Sequence, residues 1–420
     1  MRVPLTGALA LTCLAGASVV AQEVGPSRVV ERDFFGMHIH RADTVGMWPN
    51  VAFGSWRLWD SYVSWRDLEP QKDQWRFDAL DRIVATAERH RLSVLLTLGM
   101  TPSWASSRPE EACAYGNGCA AEPARLEDWE NYVRTVVSRY RGRIEAYELW
   151  NEAHFTELES PYDAAGKAYF YSGSCAKMVE MGRIAYRVIK EIDPDAKLTS
   201  PSIHVQGDWI RKLRLYLRLG GNAYTDAVSF HFYASTPEDG LRSMSAVREA
   251  MKAYGLGDKP LWNTEVGFVI RNQAEPSTKA GASPHDAAGL IARSFLLNAA
   301  GGVDRLYWYA WDDGIFGLAG TKGQTPSEAA IGYGAVQDWI TGAVVSLCTR
   351  RSDAIWSCEL KKGKESFRVV WSAYESIEWQ SPKGWRVTRY KPLLAKQPIP
   401  IADAGGKIPI GPLPALLESN

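Results

Sequence analysis

Tyr147-Glu148-Leu149-Trp150-Asn151-Glu152 reads as a buried strand that runs out into an amide and a carboxylate. Pro260-Leu261-Trp262-Asn263-Thr264-Glu265, far downstream, repeats that pattern. Strands with this little polar character need cover on both faces, which a parallel sheet flanked by helices provides. Working outward, similar runs recur at residues 35–40, 55–60, 92–98, 197–203, 227–232 and 303–310. Between them, apolar residues fall at helical spacing: Phe77, Leu80, Ile83, Val84 and Ala87, then Trp129, Tyr132, Val133, Val136 and Tyr140. Met178, Met181, Ala185, Val188 and Ile192 make a third such face, and Ala288, Ile291, Ala292, Phe295 and Ala299 a fourth. Eight strand–helix units predict an α/β fold, a (β/α)8 barrel over residues 22–340. A doubly wound open sheet would place a glycine-rich phosphate turn after an early strand. None is present, and no cofactor is expected.

Beyond residue 340 the pattern changes to short alternating runs at 343–349, 354–360, 366–372, 377–380 and 385–390. These predict a small β-sandwich or β-sheet module over 341–420, with a last hairpin near Gly405, Gly406 and Pro409. With no low-complexity linker before it, the module is expected to pack on the barrel. Residues 24–33 are expected to lend it a strand.

The 420 residues balance 48 basic against 48 acidic side chains, a formal net charge of +0, so neither nucleic acid nor an anionic membrane is an expected partner. Residues 1–21 read as a secretory signal: Arg2, an apolar run over 8–20, and Val19-Val20-Ala21 as a small-residue cleavage site. That run is too short to span a bilayer, and no later segment suits a span. Export to a secreted or periplasmic location favours disulfides. Short separations point to Cys113–Cys119 and Cys348–Cys358, leaving Cys175 free; no cysteine set has zinc spacing. The sequence gives no indication of oligomeric state.

In such a barrel the reactive groups stand at the C-terminal strand ends. Strand parity turns His38 and His40 inward, and likewise His231 and Tyr233. The 17 Trp and 18 Tyr serve either as core or as flat platforms for sugar rings. Two glutamates closing opposite strands suit double displacement at an anomeric carbon, which needs carboxyl groups about 5–5.5 Å apart. The expected roles are Glu152 as acid/base and Glu265 as nucleophile, with Asn151 on a substrate hydroxyl and Arg57 and Tyr233 as donors to Glu265. Glu148, two residues before the rim, is expected to be a buried structural acid paired with Arg57 or His38. Trp104, Trp308, Trp311 and His154 are candidate substrate contacts.

The segment Trp150-Asn151-Glu152 after a fourth strand, with a glutamate closing a seventh, resembles clan A of the retaining glycoside hydrolases. So does Ser64-Trp65-Arg66-Asp67-Leu68-Glu69-Pro70 followed by Trp75-Arg76-Phe77. The match is closest to family 39 and its relatives, which include β-xylosidases, α-L-iduronidases and bacterial exopolysaccharide endoglycosidases. The resemblance implies a barrel with an attached β-domain, hydrolysis of a polysaccharide or oligosaccharide, acid/base Glu152, nucleophile Glu265, an assisting Arg57 and a His231/Tyr233 pair.

Two other classes compete. His38, His40, His204 and His231, with Asp312 or Asp313, resemble the layout of metal-dependent hydrolases on the same barrel, but Glu148 and Glu152 stand where a bridging lysine is required. A sugar-binding protein on an inactive scaffold would have no need of both acids. Loops at 101–125, 153–174 and 272–284 shape the site, either as a groove for internal cleavage or as a pocket for chain ends.

Overall fold

The computed structural model describes residues 28–42, 48–205, 208–271, 281–319, 326–346 and 348–419. The expected signal segment, Cys13 and most of the 272–284 loop lie outside them.

Among these residues the strands β1 (Phe35–Met37), β2 (Ser55–Leu58), β3 (Ser93–Thr97), β4 (Ala146–Glu148), β5 (Lys197–Thr199), β6 (Ile203–His204), β7 (Val228–His231), β8 (Leu261–Val266) and β9 (Arg305–Trp308) form one parallel sheet. Its order is β5-β4-β3-β2-β1-β9-β8-β7-β6. Thr199 bridges Ala227, and Ser200 N–H donates to Ala227 O at 3.0 Å, so the sheet curls back on itself as a barrel. The single fifth strand expected over 197–203 is split into β5 and β6. The break falls at Ser200-Pro201-Ser202, where proline has no N–H to give the ladder.

Following β2 come the short α1 (Trp65–Leu68) and α2 (Asp78–His90); α3 (Leu126–Arg139), α4 (Cys175–Ile192), α5 (Trp209–Arg218), α6 (Gly240–Ala253), α7 (Pro284–Ala300) and α8 (Glu328–Ile340) follow later strands. The four apolar faces read from the sequence all lie on helices, with their inner residues buried. Serines 174, 283 and 327 cap α4, α7 and α8 by accepting the N3 backbone N–H. The first of the eight expected helices does not appear: the described residues between β1 and β2 contain none.

Outward side chains of the sheet join the large core, while Leu95, Ala146, Ala227, Trp262 and Tyr307 fill the barrel floor. Above that floor the inward positions turn polar. Gly99, just past β3, shows how tightly the rim is set. Its φ of +131° suits glycine, and a Cβ there would lie 2.7 Å from the Trp150 ring.

After α8 the chain turns into antiparallel β-structure. The strands are β10 (Val344–Val345), β11 (Thr349–Arg350), β12 (Ile355–Lys362), β13 (Glu365–Ser372), β14 (Ile377–Trp379), β15 (Val387–Pro392), β16 (Ile399–Pro400), β17 (Ile408–Ile410) and β18 (Ala415–Ser419). The main sheet runs β10-β12-β13-β18-β15-β16, and β14 pairs with β17. The tail therefore does not make a closing hairpin: β18 lies in the middle of the sheet, between β13 and β15. Val29 bridges Val344 from the N-terminal side. Leu360, Val369, Trp371 and Leu416 share a core with the barrel helices, and Ile355, Val370, Tyr390, Ile408 and Leu417 form a second cluster on the other face. Arg293 on α7 bonds Glu238 at 2.9 Å, and the same carboxylate accepts the Trp371 indole N–H at 2.7 Å.

Candidate active site

Arg57, projecting inward from β2, is fully buried and organises the polar layer. Its Nε donates to Glu148 Oε2 at 2.8 Å, its Nη1 to Glu265 Oε2 at 2.8 Å, and its Nη2 to Asn151 Oδ1 at 2.7 Å. Thr97 adds a hydroxyl to Glu148 Oε2 at 3.0 Å. A guanidinium never loses its proton in this setting, so it can hold two buried carboxylates at once. Of the two partners weighed for Glu148, Arg57 is the one bonded; His38 instead bonds Thr264 O through Nε2 at 3.0 Å. Burial, with Arg57 nearby, holds His38 well below the usual imidazole range, so its ring is neutral and Nε2 carries the hydrogen.

Glu152 and Glu265 come together. With His231 they form a group whose candidate ligand atoms all lie within 4.8 Å of one another. His231 Nδ1 is 2.9 Å from Glu152 Oε1 and 3.8 Å from Glu265 Oε2. The Tyr233 hydroxyl donates to Glu265 Oε1 at 2.6 Å. Both carboxylates keep a window to solvent, with side chains 15% and 10% exposed. Glu152 has a φ of 42°, a left-handed conformation that costs a glutamate roughly 1 kcal/mol or more; Ser202 Oγ accepts its backbone N–H.

Burial pushes both carboxyls above the ordinary carboxylate range. For Glu265, the Arg57 charge and the Tyr233 hydroxyl oppose burial, while Glu152 reinforces it. Burial, aided by the Arg57 charge, lowers His231 to about 3, so its ring is neutral near pH 7. The three-residue cluster has the spacing for a cation. However, Arg57 already places a fixed positive charge 2.8 Å from Glu265, against which a metal ion would be repelled. His38, His40 and His204 do not join that group among the described residues.

The remaining candidates scatter. His40 lines a cavity beside the glutamates, its ring 5.1 Å from Tyr309. Trp104 lies edge-on to Trp65, its indole bonded to Glu69 O, and is not part of that lining. His154 stacks on Tyr169 at 4.6 Å and approaches Glu159; burial lowers its pKa to about 4. Trp308 and Trp311, expected to meet substrate, are fully buried in the core. The register explains Trp308: it pairs with Met37, whose side chain faces the helices, while Tyr307 and Tyr309 take the inward positions. Trp311 is carried inward by its backbone bond to His38 O.

Sequence reasoning overlooked Tyr309, Tyr115 and the full importance of Asp60. Asp60 accepts from Tyr115 at 2.5 Å and Tyr309 at 2.6 Å. Alternation along β9 was the available signal for Tyr309. Nothing local marks Tyr115, which a loop delivers. The two expected disulfides, Cys113–Cys119 and Cys348–Cys358, are present, and Cys175 is free and buried.

By fold, and by sequence over part of its length, the chain is similar to the clan A glycoside hydrolases. Residues 60–217 match the Glycosyl hydrolase family 10 model. Endo-1,4-beta-xylanase 2 of Claviceps purpurea is 28% identical over 150 residues, 36% of this chain and 42% of that protein. Endo-1,4-beta-xylanase B of Paenibacillus barcinonensis is 22% identical, covering 52% of this chain and 64% of that one. Each of these matches thus spans less than two thirds of the relative. A family 39 glycoside hydrolase from Bacteroides cellulosilyticus WH2 shares the fold over 94% of this chain and 82% of its own, with TM-score 0.67 at 16% identity. The GH39 enzyme from Xanthomonas axonopodis pv. citri gives 0.59 at 16% identity, over 94% of this chain and 96% of its own. The fold likeness thus includes family 39, as anticipated, while the sequence match is to family 10.

Proposed function

We propose that the protein is a retaining glycoside hydrolase that cleaves a polysaccharide by double displacement, with β-1,4-xylan the first substrate to try. The observation that carries this reading is the approach of Glu152 and Glu265 oxygens to within 4.8 Å, close to the spacing of a nucleophile and an acid serving one bond. Inverting chemistry would need room for a water between them. The choice of xylan rests on the names of the relatives alone.

Glu265 is the nucleophile in this reading because Arg57 and Tyr233 donate to it and favour its charge. Among the described residues the Glu152 carboxyl bonds only a neutral imidazole, and it takes the proton of the pair, giving it first to the leaving oxygen and then recovering one from water. His231 orients that carboxyl. Secretion belongs to the same proposal, motivated by the apolar segment within residues 1–21 and the two disulfides.

Proton NMR of the first product from xylo-oligosaccharides tests the mechanism. Retention of the anomer is expected, and net inversion overturns it. Glu265→Ala should abolish turnover, with azide restoring a product of inverted configuration. Glu152→Ala should slow poor leaving groups far more than activated aryl ones; equal loss on both removes the acid/base role. Activity that survives EDTA separates this chemistry from the metal-dependent alternative.

A further inference from the structure

Glu152 stands at the head of the loop that runs to α4, and that loop is tied down within its first turn. Ser202, just before β6, accepts the Glu152 N–H through Oγ, and its carbonyl accepts the Ala153 N–H at 3.3 Å. The Glu159 N–H donates to Phe155 O at 3.2 Å, closing a turn over residues 155–159. Glu157 accepts the backbone N–H groups of Cys175 and Ala176, at the start of α4, at 2.9 and 3.4 Å. The strained backbone of Glu152 is thus followed by a segment with little freedom to relax it.

The same turn meets a cation from another element. On α5, Arg211, Arg214 and Arg218 are exposed, whereas Lys212 is buried on the face that carries Leu213 and Tyr216. A buried ammonium is costly unless a carboxylate accompanies it. The Lys212 Nζ lies 2.7 Å from Glu159 Oε1, and His154 Nδ1 lies 2.6 Å from that same oxygen. Glu159 therefore draws α5 onto the loop at a point two residues past Glu152. The low pKa of His154 leaves its ring neutral near pH 7, so the ammonium is the charged partner of Glu159.

Lys212 also acts on the Glu152 carboxyl across space. Burial raises that carboxyl; His204, Arg57 and Lys212 work against burial, and Glu148 works with it. The other titratable groups around it are His231 on β7, Glu265 on β8 and the phenols of Tyr233 and Tyr115. Of the two side-chain cations, Arg57 is bonded to Glu148 and to Glu265, on the nucleophile side. Lys212 stands on the other side, held by a carboxylate whose side chain is 33% exposed. Changing either member of the Lys212–Glu159 pair therefore alters the charge felt at Glu152 without touching the Arg57 network.

We propose that Lys212 and Glu159 are a positioning pair for the acid/base, which rests on the hydrolase reading and on Glu152 as its acid. Glu159 ties the loop to α5, and the Lys212 ammonium sets the charge against which Glu152 gives up its proton. The test is the pH profile of kcat/KM on an aryl glycoside that the native protein turns over, an aryl β-xyloside first. The basic limb of that profile follows loss of the Glu152 proton. Removing a nearby positive charge disfavours the carboxylate and moves the limb up; removing a nearby negative charge moves it down. Lys212→Met should therefore shift the basic limb to higher pH and Glu159→Gln to lower pH, each by roughly half a pH unit, the effect of one charge several ångströms away. Lys212→Arg, which keeps the charge, should restore the native limb. Loosening of the loop alone would lower kcat/KM at every pH and would not separate the two variants by sign. A limb unmoved in either variant, or moved the same way in both, overturns the pair and leaves the hydrolase standing. A basic limb at the native position that survives Glu152→Gln on an activated aryl glycoside overturns the acid/base reading itself. No turnover of any glycoside by the native protein overturns both.

Discussion

Arg57 makes Glu148, Asn151 and Glu265 interdependent, because one buried guanidinium serves all three. Truncating it would leave two buried carboxylates uncompensated, a loss of about 3–5 kcal/mol for a broken buried pair. The gentler probe is Tyr233→Phe, which removes one of the two neutral-pH donors that favour the charge on Glu265. We expect the acid limb of the kcat/KM profile to move to higher pH, since the carboxylate then ionises less readily; an unmoved limb would separate Tyr233 from that titration. Glu152 supports a stability prediction. Burial raises its carboxyl above the unfolded value, so its ionisation costs the folded state free energy above the raised value and costs nothing below about pH 4. Glu152→Gln should thus raise Tm by ~1–2 °C at pH 8, with the gain fading by pH 4. Calorimetry across that range checks it, and a gain that grows on acidification contradicts it. At this scale the sequence was legible where parity could be applied. His38, Glu148 and His231 turn inward as alternation demands, and Glu148 finds one of its two anticipated partners.

Among the elements, β9 shows where such reading fails. Its end and the residues just past it read Tyr-Trp-Tyr-Ala-Trp over 307–311, and aromatic character alone does not say which ring faces the cavity. Pairing with β1 decides it: Gly36 sits opposite Tyr307 and makes room for it, which sends Trp308 outward against Phe268. Replacing Trp308 by Ala should therefore cost about 3–5 kcal/mol of stability, as for other buried aromatics, with little change in KM for the folded enzyme. Denaturant unfolding beside steady-state kinetics checks this; a rise in KM with stability unchanged would return Trp308 to the substrate. The split fifth strand was beyond local pattern, as was the lack of a helix among the described residues between β1 and β2. The split depends on where Pro201 falls within the ladder. Tyr115 lies furthest from sequence reach, since its position depends on a cross-link and on Arg66, about fifty residues away.

For the whole molecule, alternating periodicity made the barrel readable and the change of period marked where antiparallel structure begins, but the order of strands in the second sheet was not readable. Strand alternation identifies a face, not a neighbour. The sheet and barrel share a continuous core, with α7 between them and Glu238 joining Arg293 to Trp371. We expect a single cooperative unfolding transition by fluorescence and circular dichroism, lowered when residues 415–419 are deleted; two separated transitions in the intact protein would argue against a shared core. The position of β18 has a consequence for biosynthesis. It follows every other strand of its sheet off the ribosome, yet β13 and β15 meet only through it. Until it arrives, the two halves of that sheet present open edges to chaperones and to one another's copies, so assembly of this face is deferred until translation has passed residue 419.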